Sequence, residues 1–520
     1  MDFVALFAAR QPDAAAIVVA PPRGARGGDA AGARTVSWAE LLALRNRLAR
    51  SLAALGLGRG EHAAIHAHNS LEYLLAAAAI RAVGALPVPM NHRLTADEVA
   101  YILEDSDAVA VFVGDAFLPV LERARQRAPR LRHVVLLGDE RRPWATPLGS
   151  LVAAGSPEPL PAPGGGLGGS MIYTAGTTGK PKGAVRAAID PDGTVQRLRA
   201  FGLAEPGHVH LVAGPLYHSA PGGFALYSQL FGATLVVMPA FDAEQALGLI
   251  ERHRCTSTFM APTLLKRIVD LPAAVRARYD VSSMRALVVA GAPCPMRVKE
   301  EALAFFGPAL YEFYGSTELG INTVLRPGDV LRKPGSCGRA APGVELAVLD
   351  DGGTPVAPGT PGVLHVRRSP AVFDGYYKRP EATAETGSGE WLTVGDVAWM
   401  DADGFVYICD RKRDMIISGG VNVYPAEIED VLHRHPAVAD VAVFGVPDDE
   451  WGERVHAAVQ LRPGRSVSAE EVIAFARERL AGFKVPREVT FHEDFPRDAA
   501  GKLIKRLLRE PYWRGRAARV

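Results

Sequence analysis

The chain has 520 residues, of which 48% are hydrophobic and 22% charged, and its formal net charge at pH 7 is +1. This length favours several domains or subdomains, and the apolar content excludes an intrinsically disordered chain. The near-neutral charge gives no argument for binding to nucleic acid or to an anionic membrane.

Cysteine spacing and apolar patterning favour a cytoplasmic protein. No CxxC pair, disulfide framework or zinc site is indicated by the four cysteines, Cys255, Cys294, Cys337 and Cys409. The N-terminus lacks a basic segment followed by an apolar one, so no signal peptide is expected. Residues 74–90 are apolar but contain an arginine, a glycine and two prolines, and we predict a buried helix followed by a strand rather than a membrane span.

Helical and strand patterns alternate along the first part of the chain. Ser37 and Glu40 form a capping-box pattern, which predicts a helix from there to about Leu55. Further strands are predicted over 62–68, 108–113 and 134–138, and further helices over 71–83 and 96–105. Loops rich in Gly and Pro are predicted over 21–34 and 154–170. The alternation favours an α/β fold with a mostly parallel sheet covered on both faces.

The alternation continues after residue 180 and changes character after Asp410. Strands are predicted over 209–213, 234–237, 256–260 and 286–290, and in the last part over 415–418, 438–444, 455–461 and 488–491. Helices are predicted over 426–435 and from Ser468, with Glu471 as its capping partner, to 480. We therefore predict a large N-terminal domain, 1–410, of mostly parallel αβ layers and a smaller α+β domain, 411–520, with a hinge about 411–413.

Residues 170–184, Ser-Met-Ile-Tyr-Thr-Ala-Gly-Thr-Thr-Gly-Lys-Pro-Lys-Gly-Ala, have a composition that suits a polyphosphate. Glycines allow close backbone approach, and exposed N–H groups in such a turn bind anions. Hydroxyl donors and positive charge come from Thr174, Thr177, Thr178, Lys180 and Lys182. The stretch is not a Walker A loop, because proline follows Lys180. On composition alone, a surface turn is an equally good interpretation.

This string resembles the phosphate loop of the adenylate-forming enzymes, the superfamily of acyl-CoA synthetases, peptide-synthetase adenylation domains and beetle luciferases. Their signature usually reads Tyr-Thr-Ser-Gly-Thr-Thr-Gly-x-Pro-Lys-Gly, and this chain departs from it once, with Ala in place of Ser at position 175. The resemblance implies a loop that holds the phosphates of ATP, formed by Thr174, Ala175, Gly176, Thr177, Thr178, Gly179 and Lys182.

The adenine contacts of the family fall on two further stretches. Residues 288–293 read as a strand that enters a tight turn, and residues 311–318 read Tyr-Glu-Phe-Tyr-Gly-Ser-Thr-Glu. Alone, the first is typical of a strand end and the second of a polar loop. The resemblance implies that the turn covers the adenine ring. It also implies that the second stretch supplies a tyrosine that stacks on the ring and a glutamate that meets its amino group. The expected contacts are Gly291, Ala292, Pro293, Glu312, Tyr314 and Gly315.

The expected catalytic groups also follow from the resemblance. Thr317 would hydrogen-bond the α-phosphate, and Glu318, a hard oxygen ligand, would bind Mg²⁺. Asp396 would accept both ribose hydroxyls, although Val394 stands where the family has Thr. Lys502, which follows a glycine near the C-terminus, would bridge the substrate carboxylate and the α-phosphate. On their own, a Gly-Asp turn and a C-terminal lysine are ordinary surface features.

Residues 410–429 match the hinge of the family almost throughout. Arg411 would contact ribose or phosphate, and Arg413 stands at the pivot, where Asp or Lys is more usual. Ser418, Gly419 and Gly420 would line the tunnel for the pantetheine thiol of coenzyme A. Without the resemblance, this charge run would be a solvated face.

The acid pocket is expected around residues 214–224. His218 resembles the aromatic gate beside the acyl carbonyl, and a hydrogen-bonded loop histidine is the alternative. Room for an apolar acyl group is indicated by Ala220, Gly222, Gly223, Leu319 and Ile321. No acidic residue lies between Gly214 and Leu230, which disfavours an amino acid substrate, because a buried ammonium would lack a partner.

The resemblance therefore implies an ATP-dependent acid–CoA ligase that forms an acyl-AMP and then an acyl-CoA. The expected partners are ATP, Mg²⁺, coenzyme A and a small carboxylic acid, either a medium- or long-chain fatty acid or a bulky alicyclic acid, with no nucleic acid and no membrane span. One alternative acceptor is the phosphopantetheine arm of a carrier protein. A non-catalytic ATP-binding protein is a further alternative, against which the intact Thr317, Glu318, Asp396 and Lys502 argue. A homodimer is left open.

Overall fold

The computed structural model describes residues 2–21, 33–161, 168–174, 180–188, 190–203, 207–387, 389–411, 414–418, 421–448, 451–497 and 503–514. For Arg411, the description is limited to the backbone. Most of the predicted loop over 21–34 lies outside these residues. The same is true of several predicted site and hinge residues, namely Ala175, Gly176, Thr177, Thr178, Gly179, Arg413, Gly419, Gly420 and Lys502.

Two parallel sheets form the centre of the larger domain in the described part of the chain. The first has seven strands, in the order Leu310–Glu312, Ala286–Val289, Ser257–Met260, Val209–Val212, Thr234–Val237, Ala15–Val19 and Arg34–Ser37, and only its last pair is antiparallel. The second has five parallel strands, in the order Leu86–Pro89, His62–His66, Ala108–Val113, His133–Leu136 and Thr146–Pro147. The predicted α/β fold is confirmed.

Helices connect these strands and carry the apolar core between the sheets. Those of the larger domain are Phe3–Arg10, Trp38–Ala54, Leu71–Ala82, Ala96–Asp105, Leu118–Ala124, Leu148–Ala154, Pro191–Ala200, Ser219–Gln229, Ala243–His253, Pro262–Val269, Ala273–Arg276, Met296–Phe306, Pro327–Val330 and Pro380–Glu385. Trp38 is fully buried in one apolar cluster with Ile17 of the first sheet and Ile65 of the second. Burial of such large apolar side chains is the main stabilising contribution to the domain.

The predicted capping box at the start of the second helix is confirmed. The amide of Glu40 donates to the Ser37 hydroxyl over 3.2 Å, and the Glu40 carboxylate accepts from the Ser37 amide at 2.8 Å. Ser468 and Glu471 form the same reciprocal pair in the smaller domain. These bonds satisfy N–H groups that the first helical turn leaves without partners, so both helices begin where the sequence predicts.

A third, antiparallel sheet consists of Gly168–Thr174, Lys182–Ala188 and Gly375–Tyr376 in the described residues. The connector predicted over 154–170 is therefore wrong at its end, because residues 168–170 are already extended strand. They pair with the end of the neighbouring strand, from Arg186 to Ala188. This pairing is made across the predicted phosphate loop and could not be read from the local composition.

The last sheet of the larger domain is antiparallel and has the strands Leu346–Leu349, Gly362–Arg367, Asp396–Met400, Val406–Arg411 and Trp391–Leu392. Two short ribbons, Gly315–Ser316 with Gly320–Ile321 and Thr323–Val324 with Arg339–Ala340, lie between the first sheet and this one along the chain.

The smaller C-terminal domain is a mixed sheet with helices. Its described strands are Val421–Val423, Ile416–Ser418, Gly452–Leu461, Val438–Asp448 and Glu488–His492, and its helices are Pro425–His433, Ala469–Arg477 and Lys505–Trp513. The two long strands exceed the predicted lengths because they pair with each other over ten residue pairs. The large and small domains are confirmed, and the boundary at 411–413 stays a prediction.

Across the described residues, no helix combines the length and the apolarity needed to cross a lipid bilayer.

Candidate active site

The predicted adenine contacts lie at the carboxyl ends of two neighbouring parallel strands. Ala286–Val289 leads into Gly291, whose φ of +92° is a conformation that side chains rarely adopt. Leu310–Glu312 leads into Tyr314, and both turns line one cavity of about 2510 Å³. Ligands of open parallel sheets bind at this edge, where the strands end. The sheet therefore brings Gly291, Ala292 and Pro293 close to Glu312, Tyr314 and Gly315.

Asp396 lies in the same cavity and is held by Tyr314. The tyrosine hydroxyl donates a 2.5 Å hydrogen bond to Oδ2 of Asp396, which is 7% exposed. Asp396 begins a strand, and its backbone is paired with that of Arg411 on the next strand. The turn before it needs Gly395, whose φ is +79°. The predicted ribose acceptor and the predicted stacking tyrosine thus form one unit.

Glu318 connects Thr174, where the strand enters the predicted phosphate loop, with a tyrosine that the sequence did not point to. Its Oε1 accepts hydrogen bonds from the hydroxyls of Thr174, at 3.1 Å, and Tyr376, at 2.9 Å. The ammonium of Lys182 lies 5.3 Å from the centre of the Tyr376 ring. Tyr376 belongs to the third strand of the antiparallel sheet, and only this pairing reveals its place. The result is a cluster of oxygen donors beside a cation.

The predicted acid pocket contacts Thr317, the residue that precedes Glu318. The hydroxyls of Ser219 and Thr317 share a 3.2 Å hydrogen bond. His218 precedes the helix Ser219–Gln229 and lines the cavity, with its ring 4.3 Å from that of Tyr217. A Cβ on Gly222 would lie 2.4 Å from the carbonyl oxygen of Leu216, so the helix can approach this wall only with glycine there.

Three comparisons with known proteins identify the family of this chain. Residues 4–377 match the family model described as AMP-binding enzyme, and residues 427–502 match the model of its C-terminal domain. The chain belongs to the AMP-binding enzymes. This is the adenylate-forming superfamily that the motifs resemble, so the predicted family is confirmed.

Two curated relatives are similar to this AMP-binding enzyme over nearly its whole length. It is 36% identical to the fatty acid–[acyl-carrier-protein] ligase ScoC of Streptomyces coeruleorubidus, which covers 94% of this chain and 93% of the relative. It is 35% identical to the long-chain-fatty-acid–CoA ligase FadD13 of Mycobacterium tuberculosis, over 92% and 93% of the two chains. Among solved structures, the anthranilate CoA ligase AuaEII in complex with anthranoyl-AMP has a TM-score of 0.87 at 27% identity, over 98% of this chain and 96% of that one.

Glu312 of this AMP-binding enzyme has a partner that sequence reasoning missed. Its carboxylate forms an ion pair with the ammonium of Lys299, and both side chains are buried beside the cavity. Pairing offsets much of the cost of burying either charge. The helix Met296–Phe306 supplies this lysine, which had no motif to mark it. Contact between Glu312 and an adenine stays a prediction.

Ser418 is not brought into the cavity by the described residues. It ends the strand Ile416–Ser418 of the smaller domain, where its backbone is paired with Gly452. Its expected neighbours Gly419 and Gly420, and the catalytic candidate Lys502, lie outside the described residues. Their assigned roles stay predictions.

The residues around Glu318 fit a magnesium ion carried by a nucleotide. The carboxylate and the adjacent Thr174 hydroxyl are hard oxygen donors, the type that Mg²⁺ prefers. Within the described ranges there is no cluster of three or more His, Cys, Asp or Glu residues that could hold a metal by itself. One protein carboxylate combined with phosphate oxygens is the usual coordination of Mg²⁺ at nucleotide sites.

Proposed function

We propose that this AMP-binding enzyme is an ATP-dependent acid–CoA ligase. One observation carries the proposal: the adjacent residues Thr317 and Glu318 connect two walls of one cavity. Thr317 meets Ser219 on the helix of the acid pocket. Glu318 accepts a hydrogen bond from Thr174, the first of the predicted phosphate-loop residues. A carboxylate and an α-phosphate bound to these two walls would lie side by side, which is the positioning that the reaction needs.

In the first half-reaction, an oxygen of the acid's carboxylate would form a bond to the α-phosphorus of ATP. The bond from that phosphorus to the oxygen that bridges to the β-phosphate would break, and pyrophosphate would leave. Lys182 would hold the leaving phosphates, and Lys502 would offset negative charge between the carboxylate and the α-phosphate. Mg²⁺ bound to ATP would supply further positive charge, with Glu318 as its protein ligand.

In the second half-reaction, the sulfur of coenzyme A would form a bond to the acyl carbon. The carbon–oxygen bond to AMP would break, and the thiol proton would be released. A rotation about the predicted hinge, residues 411–413, would remove Lys502 and bring in Ser418, Gly419 and Gly420. One hinge would thereby serve two chemical steps in turn.

For the acid, we propose a medium- or long-chain fatty acid or a bulky alicyclic acid. Ala220, Phe224 and Ile321 line the cavity beside Ser219 and offer apolar contact. The similarity to FadD13, a long-chain-fatty-acid–CoA ligase by name, supports an acyl chain of this kind. The proposed location is the cytoplasm.

A second candidate acceptor is a carrier protein with a phosphopantetheine arm. The similarity to ScoC, a fatty acid–[acyl-carrier-protein] ligase by name, favours it. Both acceptors present the same thiol on the same pantetheine chain, so the adenylation half-reaction is common to both.

Pyrophosphate release by the purified protein tests both candidates. ATP and Mg²⁺ would be combined with fatty, aryl and alicyclic acids, each alone, with coenzyme A and with a carrier protein. The expected result is release with one acid class, accelerated by coenzyme A, with a thioester as product. Acceleration by the carrier protein alone would contradict coenzyme A as the acceptor. No release with any acid, in a protein that still binds ATP, would contradict the ligase function.

A further inference from the structure

The cavity has a second positively charged region, on the strand Lys182–Ala188 that follows the phosphate loop. The cavity is lined by alternate residues of the antiparallel strands Gly168–Thr174 and Lys182–Ala188. These residues form three cross-strand pairs, which are Thr174 with Lys182, Ile172 with Ala184, and Ser170 with Arg186. These residues share one face because side chains alternate along a strand. Lys182 and Arg186 are four residues apart, which corresponds to about 14 Å along the strand. An apolar pair separates the two cations.

A buried arginine on the neighbouring helix lies near Arg186. Arg197, on the helix Pro191–Ala200, lines the cavity and is only 8% exposed. Desolvation lowers its pKa, the charges of Asp190 and Tyr227 offset part of that effect, and the charge of Arg186 lowers the pKa further. Its nearest described carboxylate oxygen belongs to Asp190, 3.6 Å from Nη2, and that carboxylate also accepts a hydrogen bond from a backbone amide. The charge of Arg197 is therefore only partly compensated.

Two more guanidinium groups line the cavity with still less compensation. Nη2 of Arg186 donates to the carbonyl oxygen of Thr317 at 3.4 Å. Arg81 donates to the carbonyl oxygens of Ala77 and Gly169, both at 3.3 Å. Among the residues that the structure describes, no carboxylate lies within 4 Å of Arg186 or Arg81. Positive charge that is removed from water without a counter-ion is costly, and a bound anion would relieve that cost.

We propose that the acid activated by this enzyme carries a second carboxylate, which Arg197 and Arg186 bind in the acyl cavity, on the side of Thr317 where Arg186 lies. This inference rests on the proposed ligase function and narrows its substrate class. A guanidinium presents parallel N–H groups that match the two oxygens of a carboxylate. The pair Ile172 and Ala184 would contact the carbon skeleton between the two carboxylates.

The test compares matched acids in the same pyrophosphate assay. Each α,ω-dicarboxylic acid is paired with the monocarboxylic acid of equal carbon number and with its own monomethyl ester, over short, medium and long skeletons, linear and alicyclic. For the wild-type protein we expect kcat/KM to favour the best diacid over its two partners by at least about tenfold, since a site built for a polar group rejects analogues that lack it.

Three variants assign the preference to residues. The variants Arg197→Met and Arg186→Met keep an unbranched side chain and remove the guanidinium. Each should reduce the ratio of kcat/KM between the diacid and its matched acids about tenfold or more. Arg199→Met is the matched control, because Arg199 is exposed on the same helix as Arg197, and it should keep the wild-type ratio. The preference for diacids is measured on the wild-type protein alone. A variant that fails to fold therefore does not prevent the test.

Each outcome decides a different point. An equal kcat/KM for monocarboxylic acids and diacids in the wild-type protein would overturn the proposal of a second carboxylate. The ligase function would remain intact. A monomethyl ester as good as its diacid would overturn recognition of the charge. A diacid preference unchanged in both Arg197→Met and Arg186→Met would overturn the assignment of these residues. Silence with every acid would instead overturn the proposed function.

Discussion

The hydroxyl of Tyr314 donates a 2.5 Å hydrogen bond to Oδ2 of Asp396, although 82 residues separate the two in the chain. The bond joins the carboxyl edge of the seven-stranded sheet to the antiparallel sheet that follows it. One carboxylate oxygen is thereby occupied and oriented, which fixes the direction in which Asp396 would meet a ribose. Orientation of this kind is worth most in a partly desolvated site.

Tyr314→Phe should weaken ATP binding by about tenfold, because a hydrogen bond to a charged group contributes about 1.5–3 kcal/mol. The phenyl ring can still stack on adenine, so kcat should fall much less than KM for ATP rises. Pyrophosphate release at varied ATP concentration measures both. Tyr407→Phe is the control, since its hydroxyl faces Asp401 at 3.4 Å. An unchanged KM for ATP in Tyr314→Phe would contradict a role of the Tyr314 hydroxyl in the nucleotide site.

Tyr376→Phe should raise the Mg²⁺ concentration needed for half-maximal activity by about 10–100-fold, the usual effect of losing a group that orients a metal ligand. Glu318 would keep the hydrogen bond from Thr174 and lose the one from Tyr376. A Mg²⁺ titration at fixed ATP measures the change. Tyr377→Phe is the neighbouring control, because that hydroxyl bonds Asp107 instead. The same Mg²⁺ concentration for half-maximal activity in both variants would contradict a role of Tyr376 beside the metal ligand.

Lys502→Ala should reduce acyl-AMP formation by about 10²–10³-fold, as removal of one charge-stabilising donor does elsewhere. The second half-reaction should proceed at nearly the wild-type rate. Single-turnover assays separate the steps when synthetic acyl-AMP is supplied together with coenzyme A. Lys505→Ala, at a lysine paired with Glu429 over 2.8 Å, is the control. A wild-type rate of adenylation in Lys502→Ala would refute the assignment.

Stability should decrease as the pH falls below about 6.5. Burial, together with neighbouring histidines, lowers the pKa of His66 to about 4, and burial likewise lowers that of His92 to about 4. Between pH 6.5 and 4 the unfolded chain therefore binds more protons than the folded protein, and the fully buried His66 removes on the order of 2 kcal/mol by pH 5. Thermal unfolding at pH 7 and pH 5 measures the loss.

The variant His66→Phe isolates one of these groups. His66 is fully buried and its ring lies 4.7 Å from that of Phe117, so an aromatic replacement keeps part of the packing. Whatever its stability at pH 7, this variant should lose less on acidification than the wild-type protein. An identical difference between pH 7 and pH 5 in both proteins would show that His66 does not contribute.

The sequence alone determined those features that depend on neighbouring residues. Ser37 with Glu40, and Ser468 with Glu471, close hydrogen bonds within one helical turn, and both helices begin where these pairs predict. The alternation of apolar runs located most of the strands, because burial on both faces of a parallel sheet demands them. The short motifs indicated the family, since each combines a turn with the polar groups that a nucleotide needs.

The tertiary structure alone decided which side chains meet. Thr174 and Glu318 are 144 residues apart, and no local pattern indicates that they share a hydrogen bond. Tyr376, Lys299 and Arg197 stand in no recognised motif, and only sheet pairing and helix packing place them on the cavity. Strand order and register depend on burial summed over the whole domain, whereas capping and turn formation depend on a few adjacent residues. For this reason the elements and the family could be predicted from the sequence, while the group of arginines that line the cavity near Thr317 required the fold.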